Sequence, residues 1–433
     1  MQRKIAIIGT GYVGITTGVC LAYLGHEVIC VDKDRGKIRK LKKGISPIFE
    51  PGIEEFLKKN KERISFTNNL NKAVKKSEII FIAVGTPSRE DGSINLDHIK
   101  MAVEEIKKAL QNCQDYKVIA VKSTVPVGTT EWIKKKIRKA YGNNFSIVSN
   151  PEFLREGSAM KDFMHPDRIV LGIEDKKAKE IMLDIYSQIK APKVIADIRS
   201  AELIKYASNA FLATKISFIN EIASICEKAS GDIKKVAEGI GYDKRIGKYF
   251  LKAGLGFGGS CFPKDIDGLV EIARNKRYNF RLLRAVSSVN KNQQRNFIKK
   301  IKRILKKTKG NTIGIWGLSF KPDTDDIRKS PAIEVIKNLQ RDGYRIQAYD
   351  PVAIPNAKKE LSFKDIKFCK NAFLAAKNSD ILAIITEWPE FSEIDMKKVR
   401  KLMRHPNLID GRNLFVPQKM RAMGFYYQGI GRK

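Results

Sequence analysis

The chain has few cysteines, and no pattern puts them to structural use. Its six cysteines in 433 residues show no CxxC or other metal-ligand spacing. We therefore expect no metal site and no disulfide framework, and a reducing compartment, the cytoplasm. Long apolar runs are also missing, since no uninterrupted stretch reaches the ~18 residues of a membrane span. The basic, then apolar N-terminus is interrupted by a glycine-rich loop, which argues against a signal peptide.

Acidic residues are scarce relative to basic ones. The 82 Lys and Arg residues outnumber the 47 Asp and Glu residues and leave a net charge of +35. Such a charge can indicate an anionic partner. The lysines, however, are spread over every segment, without a basic tail or a basic–aromatic stripe. We interpret them as a solvated surface. Steering of a small anionic substrate is the next reading, and binding to nucleic acid or membrane is not expected.

The first 32 residues have the pattern of a βαβ unit. An apolar strand leads into Gly9-x-Gly11-x-x-Gly14, a helix runs through Leu24, and a second strand ends at Asp32, 18 residues after Gly14. The glycines give a tight turn, close approach of the backbone to a pyrophosphate, and close helix–strand packing, while the acid binds a ribose. A purely structural turn would leave Asp32 without a task. The pattern therefore predicts a dinucleotide site.

Further strands alternate with helices, as in a mostly parallel sheet. The predicted strands are 78–84, 117–121 and 146–149. Each is followed by a loop of small or polar residues that starts at Gly85, Ser123 or Asn150. Ligands of open α/β sheets bind at the carboxyl ends of the strands. These loops should therefore face the cofactor.

The later chain combines a long helix with a second Rossmann-like section. Apolar spacing predicts a helix of roughly 30 residues from Arg199 to Ala229, about 45 Å long, which would bridge two lobes or pack against a partner subunit. Strands at 311–317, 344–350, 380–385 and 407–410 follow. The turn after the first of them lacks three glycines, so it should hold something other than a full dinucleotide, and Lys321 and Arg328 suit an anion.

We therefore predict an α/β fold with two Rossmann-like doubly wound domains, joined by a long central helix and a helical middle region. The expected domains are a dinucleotide-binding domain at 1–198, a central helical region at 199–297 and a second Rossmann-like domain at 298–433.

A cysteine follows a glycine-rich loop in the middle region. The segment reads Gly254-Leu-Gly-Phe-Gly-Gly-Ser-Cys261-Phe-Pro-Lys264-Asp265. Backbone N–H groups at a helix start and a nearby cation favour a thiolate. The glycines would give a ligand access to the backbone. Cys261, Lys264 and Asp265 could share one helical face. The alternative is a buried cysteine beside a surface Lys–Asp pair.

Two further pairs at i, i+4 would complete the chemistry. Glu152 and Glu156 supply an acid or base, and Lys205 and Asn209 supply an oxyanion stabiliser.

Five colinear motifs resemble the UDP-glucose/GDP-mannose dehydrogenase family over essentially the whole chain. They are Gly9-x-Gly-x-x-Gly14, Asn150-Pro-Glu-Phe-Leu-Arg-Glu-Gly157, Glu202-x-x-Lys-Tyr-x-x-Asn209, Gly258-Gly-Ser-Cys-Phe-Pro-Lys-Asp265 and Gly317-x-x-Phe-Lys-Pro322. The residues from Glu156 to Ala159 and from His165 to Arg168 resemble the members that act on UDP-glucose. The same chemistry on GDP-mannose or a UDP-N-acetylhexosamine is the alternative. A non-catalytic nucleotide or nucleic-acid binder on this scaffold would have no use for the catalytic set.

The resemblance implies an NAD-dependent, four-electron oxidation of the C6 alcohol of UDP-glucose to UDP-glucuronate. Cys261 corresponds to the nucleophile that forms a thiohemiacetal and then a thioester. Lys205 and Asn209 correspond to the oxyanion stabilisers, and Asp265 to the residue that helps water attack the thioester. Thr124, Glu152 and Glu156 are the remaining catalytic candidates, for ordering water or moving protons.

The resemblance also implies the binding residues. For NAD they are Gly9, Gly11, Tyr12, Val13, Gly14, Asp32, Lys37, Thr86, Thr124, Glu156, Lys264 and Arg328. For the UDP-sugar they are Glu152, Phe153, Leu154, Arg155, Glu156, Lys205, Asn209, Arg245, Tyr249, Phe250, Leu251, Lys252, Ala253, Gly258, Lys321 and Arg412. Asp32 should disfavour a 2′-phosphate, although Lys33 and Arg35 keep some NADP use open. We also expect a homodimer formed through the helix at 199–229, with Arg245 reaching the neighbouring subunit.

Overall fold

A computed structural model describes residues 1–111, 113–361 and 366–432. These residues form two compact units. The first contains residues 1–208 and 267–276, and the second contains residues 209–266 and those from 277 onward. The expected three-part division at 198 and 297 stays a prediction.

The first unit is built on an eight-stranded sheet. Its strands are β1 (Lys4–Ile8), β2 (Glu27–Val31), β3 (Ile64–Thr67), β4 (Ile79–Ile82), β5 (Lys117–Val121), β6 (Phe145–Ser149), β7 (Ile169–Ile173) and β8 (Lys193–Ala196). The strand order is β3-β2-β1-β4-β5-β6-β7-β8. Neighbouring strands are parallel except β6 and β7, which are antiparallel.

Helices cover both faces of this sheet. They are α1 (Tyr12–Tyr23), α2 (Arg35–Lys42), α3 (Ile53–Lys59), α4 (Leu70–Lys76), α5 (Asp97–Leu110), α6 (Thr129–Tyr141), α7 (Ala159–Met164) and α8 (Lys176–Ile185). Successive strand residues point to opposite faces. Accordingly, Ile5 and Ile7 of β1 belong to one buried apolar cluster, and Ala6 and Ile8 belong to another. A strand buried on both sides explains the continuous apolar runs in the sequence.

The second unit contains a six-stranded parallel sheet. Its strands are β9 (Thr312–Trp316), β10 (Arg345–Tyr349), β11 (Ile366–Phe368), β12 (Ile381–Ile384), β13 (Asn407–Asp410) and β14 (Tyr426–Gln428). The order is β11-β10-β9-β12-β13-β14. Apolar clusters lie on both faces of this sheet as well, with Ile313 and Ile315 in one and Trp316 in the other.

Ten more helices complete the described chain. They are α9 (Ile198–Ala229), α10 (Ile233–Gly241), α11 (Phe262–Asn275), α12 (Arg281–Thr308), α13 (Pro331–Arg341), α14 (Ile354–Glu360), α15 (Ala372–Ala376), α16 (Pro389–Glu393), α17 (Met396–Leu402) and α18 (Pro417–Ala422). The 32 residues of α9 include the boundary between the units, which follows Ser208. This helix and the two sheets confirm the predicted fold class.

Among the described residues, neither a membrane-spanning helix nor a cluster of metal ligands is found. Within these residues, no helix combines the length and the apolarity needed to cross a membrane. The same part of the chain has no group of three or more His, Cys, Asp or Glu side chains arranged to hold a metal ion.

Candidate active site

The turn after β1 has the shape that a dinucleotide loop needs. Gly9 has φ +100°, which L side chains rarely adopt, and a Cβ there would lie 2.7 Å from the carbonyl oxygen of Ala83. A Cβ on Gly14 would lie 1.9 Å from the carbonyl oxygen of Gly9. A Cβ on Gly11, in contrast, would meet nothing within 4 Å. The first and third glycines are thus needed for packing, and the second leaves room for a ligand, as in a dinucleotide fingerprint.

Asp32 follows β2 and is fixed by its neighbours. One carboxylate oxygen accepts hydrogen bonds from the Thr10 N–H at 2.9 Å and the Thr10 hydroxyl at 2.7 Å, and the other accepts from the Asp34 N–H at 3.0 Å. Partial burial raises the pKa of Asp32, but these hydrogen bonds and the charge of Lys37 outweigh it, so the pKa is lowered. Asp32 is therefore fixed as a carboxylate at the carboxyl end of β2.

The N-terminus of α1 is free of side-chain capping. Its N-cap residue is Gly11, and no side chain accepts a hydrogen bond there. Exposed N–H groups at a helix start attract phosphate. The open position at Gly11, this helix start and Asp32 together fit a bound dinucleotide. Tyr12 and Val13, two more predicted NAD residues, lie in the first turn of α1.

The loops after β4 and β5 are joined by hydrogen bonds. The Thr86 hydroxyl donates to the carbonyl oxygen of Thr124 at 2.8 Å, and the Ser123 hydroxyl donates to that of Val84 at 2.7 Å. Two predicted NAD residues, Thr86 and Thr124, are therefore neighbours at the carboxyl end of the sheet.

Glu152 and Lys205 form a buried ion pair in the first unit. The Lys205 ammonium lies 3.1 Å from one Glu152 carboxylate oxygen. Lys205 is 4% exposed and Glu152 is 7% exposed. The other oxygen of Glu152 accepts from the Leu154 N–H at 2.5 Å. Residues 150–155 form no helix. The i, i+4 spacing of Glu152 and Glu156 therefore does not place them on one helical face, and their catalytic role stays a prediction.

The Phe153 ring has two cations near it. The guanidinium carbon of Arg168 is 3.6 Å from the centre of the ring, and the Lys205 ammonium is 5.4 Å from it. The Arg168 guanidinium also donates to the Ser208 hydroxyl at 3.3 Å. Arg155, in contrast, is exposed and paired with Asp162.

Sequence reasoning missed two glutamates that shape this unit. Buried Glu50 accepts from the Gly157 N–H at 2.7 Å, and the Tyr12 hydroxyl accepts from the same N–H at 2.6 Å, so both hold the loop that carries Glu156. Glu202 accepts from the N–H groups of Gly128 and Thr130 at the start of α6. Glu202 stands in one of the five motifs, whereas nothing in the sequence marks Glu50.

The cysteine loop in the second unit ends as predicted, at the start of a helix. Cys261 directly precedes α11, and the Asp265 N–H donates to its carbonyl oxygen at 2.8 Å. Buried Asp265 accepts from the Asn209 amide at 2.5 Å and from the Lys264 ammonium at 2.6 Å. The thiol lies 3.7 Å from the Ser260 hydroxyl. A thiol and a buried carboxylate thus belong to residues one helical turn apart.

The glycines before Cys261 are crowded by protein. A Cβ added at Gly254 would lie 2.8 Å from the carbonyl oxygen of Gly411, and one added at Gly256 would lie 2.2 Å from the side-chain oxygen of Asn290. A Cβ added at Gly258 would lie 2.3 Å from the carbonyl oxygen of Lys329, and one added at Gly259 would lie 2.7 Å from the Phe320 ring. These glycines therefore allow the loop to pack closely on neighbouring segments. The expected access of a ligand to their backbone stays a prediction.

Two asparagines that the sequence did not single out fix this loop. The Asn290 side chain accepts from the Phe257 N–H at 2.8 Å and donates to its carbonyl oxygen at 3.0 Å. The Asn220 side chain accepts from the Gly254 N–H at 2.9 Å. Arg412 donates to the carbonyl oxygens of Ile385 and Gly256, at 2.6 and 3.2 Å.

The other predicted substrate residues have varied exposure. Leu251 and Ala253 are buried, and Tyr249 is 71% exposed. Arg245 is exposed and pairs with Asp243. Phe250 is half-buried and has φ +64°. Lys252 is exposed. The Lys321 ammonium lies 5.7 Å from the centre of the Phe320 ring. The predicted NAD residue Arg328 forms an ion pair with Asp326.

The chain is similar to dehydrogenases along its length. Residues 3–190 match the NAD binding domain of the UDP-glucose/GDP-mannose dehydrogenase family, residues 199–292 its central domain and residues 314–417 its UDP binding domain. UDP-glucose 6-dehydrogenase TuaD of Bacillus subtilis (strain 168) is 46% identical over 435 residues, which cover 100% of this chain and 94% of that protein. The chain belongs to the UDP-glucose/GDP-mannose dehydrogenase family.

Two further relatives agree with this family. UDP-glucose 6-dehydrogenase of Rhizobium meliloti (strain 1021) is 46% identical over 439 residues, with 99% of each chain covered. The structure of a UDP-glucose dehydrogenase from Pyrobaculum islandicum matches with a TM-score of 0.93 and 36% identity, covering 100% of this chain and 98% of that one. Family membership confirms the predicted oxidoreductase class, the NAD cofactor and a UDP-sugar as the substrate class.

Proposed function

We propose that this protein oxidises UDP-glucose to UDP-glucuronate with NAD, through a thioester on Cys261. One observation carries the proposal: Cys261 precedes α11 by one residue and Asp265 by one helical turn, and Asp265 is held by Asn209 and Lys264. An acid product requires a second oxidation at the aldehyde stage, and a thiol is the group that makes it possible. The full-length relatives named UDP-glucose 6-dehydrogenase support the substrate.

The turn after β1 would hold the cofactor. Gly11 and the start of α1 would receive the pyrophosphate, and Asp32 the adenosine ribose. When bound, NAD supplies the two-electron acceptor for each of the two oxidations. Hydrogen bonds from Thr10 and Asp34 and the charge of Lys37 lower the pKa of Asp32 and keep it anionic, which favours NAD over a 2′-phosphorylated cofactor.

Cys261 acts after the aldehyde is formed. Its thiolate adds to the aldehyde carbon, and the oxygen that was the carbonyl becomes an alkoxide, which takes up a proton to give a thiohemiacetal. Loss of two electrons and two protons from this carbon centre gives the thioester. Lys205 and Asn209, one turn apart on α9, stabilise the negative oxygen.

Hydrolysis then restores the enzyme. Water adds to the thioester carbon and loses a proton, and the carbon–sulfur bond breaks to release the Cys261 thiolate and the carboxylic acid, which loses the second proton to give the carboxylate. Asp265 assists this water, and Thr124, Glu152 and Glu156 are further candidates for ordering it or moving protons. The UDP-sugar is held by residues 152–156, Lys205, Asn209, Arg245, residues 249–253, Gly258, Lys321 and Arg412.

The experiment is a stoichiometry. Purified protein with limiting UDP-glucose and excess NAD should form about two NADH per sugar, with UDP-glucuronate as the product. One NADH with free aldehyde would contradict the thioester route. A higher kcat/KM for GDP-mannose or a UDP-N-acetylhexosamine would replace the substrate and leave the family unchanged.

We also propose that two copies of the chain pair through α9. Phe211, Phe218 and Ile225 recur every seven residues on this helix and are 66%, 54% and 58% exposed. An apolar row at heptad spacing is typical of a helix that packs on another helix. Light scattering should give the mass of a dimer, and Phe218→Glu should give a monomer. A monomeric wild-type protein would refute this pairing.

The proposed compartment is the cytoplasm, in keeping with free cysteines among the described residues.

A further inference from the structure

Lys122 is a buried lysine to which the proposed mechanism gives no role. It directly follows β5 and is 5% exposed. Lysine is almost never so deeply buried unless other groups compensate its charge. The groups around its ammonium therefore indicate what it does.

The Lys122 ammonium supports the segment that carries Glu152. It donates to the side-chain oxygen of Asn150 at 3.3 Å and lies 5.9 Å from the centre of the Phe163 ring. The same Asn150 oxygen accepts from the Tyr186 hydroxyl at 2.7 Å, and the Asn150 amide donates to the carbonyl oxygen of Val170 at 2.9 Å. Asn150 is thus held on several sides, two residues before Glu152.

Three titratable groups of the described chain act on the charge of Lys122: Cys20, Glu152 and Lys205. Burial raises the pKa of the Cys20 thiol and that of Tyr186, which shares Asn150 with Lys122, so both groups are neutral in the working range. Glu152 and Lys205 are the two members of the buried pair. Lys122 is therefore attracted by the carboxylate of this pair and repelled by its ammonium.

Burial and repulsion by Lys205 lower the pKa of Lys122 to about 8, against the attraction of Glu152. Lys122 is consequently still mainly an ammonium at neutral pH.

We propose that Lys122 is a positioning residue of this dehydrogenase: its ammonium holds the segment that carries Glu152 in place against Lys205. The inference rests on the proposed function, which assigns Glu152 and Lys205 to the reaction. Lys122 acts through its hydrogen bond to Asn150 and through the attraction between its charge and Glu152. Without that charge, the segment is held less firmly, and Lys205 loses the fixed partner that orients it for the oxyanion.

The test compares Lys122→Met with Lys117→Met. Methionine approximates the volume of lysine and removes the charge. Lys117 is a matched control, because it is 2% exposed, begins the same strand and donates to the carbonyl oxygens of Ser77 and Lys75. It lies about 16 Å along the strand from Lys122. At about pH 7, Lys122→Met should lower kcat/KM for UDP-glucose about tenfold or more. The Kd for NAD should stay within about twofold, and Lys117→Met should change neither.

The pH profile separates a charge from mere packing. Wild-type Lys122 itself loses its proton as the pH rises through about 8. The ratio of wild-type to Lys122→Met kcat/KM should therefore be largest near neutral pH and shrink above about pH 9. A ratio that is constant with pH, or equal losses in Lys122→Met and Lys117→Met, would overturn the proposal.

Two more variants keep the outcome clear. Lys122→Gln retains a donor for Asn150 without a charge, so it should lose as much activity as Lys122→Met, and it replaces that variant if Met does not fold. Wild-type activity in Lys122→Gln would overturn the charge role. Lys205→Met tests the proposed function on which the inference rests. If Lys205→Met is inactive while Lys122→Met has normal activity, only the inference about Lys122 fails. An active Lys205→Met would overturn the proposed role of the Glu152–Lys205 pair.

Discussion

Replacing Asp265 by asparagine should stop the reaction at the thioester. Asp265 is 1% exposed and accepts hydrogen bonds from the Lys264 ammonium and the Asn209 amide. Asparagine keeps the size but not the charge, so the bond to Lys264 loses its ionic part, about 1.5–3 kcal/mol. Removing a positioned base slows proton transfer by about 10²–10⁴-fold. The two oxidations use Cys261 and should survive.

The assay is a rapid quench followed by intact-mass spectrometry. Asp265→Asn should release a burst of about two NADH per active site and then carry a UDP-glucuronyl adduct on Cys261. Cys261→Ser should carry none, because a serine hydroxyl is a weak nucleophile. Glu271→Gln is the matched control, since Glu271 is on the same helix and pairs with Arg274, and it should turn over like the wild type. A burst without an adduct would refute the reasoning and point to Thr124 or Glu156.

Three further predictions concern binding and stability. Asp32→Ala should raise the Kd for NAD about 10- to 150-fold, the equivalent of about 1.5–3 kcal/mol for a lost charged hydrogen bond, and leave the Kd for UDP-glucose nearly unchanged by calorimetry; equal losses would make Asp32 structural. Asn290→Ala leaves the N–H and carbonyl groups of Phe257 without their partner, so urea unfolding should show a loss of about 1–3 kcal/mol, and an unchanged midpoint would contradict this. Glu202→Ala uncaps α6 and should cost about 0.5–2 kcal/mol in the same assay while NAD binding persists; a selective loss of NAD binding instead would show a cofactor role.

Much of the fold follows from local sequence patterns. The predicted strand 117–121 matches β5, and the predicted helix 199–229 matches α9 to within one residue. Apolar runs between polar loops mark strands that are buried on both faces. Strands β7 and β8 were not predicted. β8 is only half-buried, whereas β7 is an apolar run that is buried throughout and that was missed.

The candidate site was predictable where spacing reports chemistry and not where contacts come from distant segments. The Gly9 to Asp32 fingerprint is local, and its geometry is what the pattern predicts. Glu50 reaches Gly157 from 107 positions away, so no spacing reveals it. The packing role of the loop from Gly254 to Gly259 was missed for the same reason, because the segments that crowd it are distant in sequence. A glycine that admits a ligand and a glycine that admits another part of the protein look alike in sequence.

The crowded loop before Cys261 affects how a mutational scan of activity in this protein should be interpreted. Every side chain added at Gly254, Gly256, Gly258 or Gly259 meets protein within 3 Å, so inactivating changes there are expected even if no ligand touches these positions. Intolerance and proximity to Cys261 would make them look catalytic. A soluble yield or a folding readout alongside activity tells the two causes apart, because a displaced loop lowers both, whereas loss of a reacting group lowers activity alone.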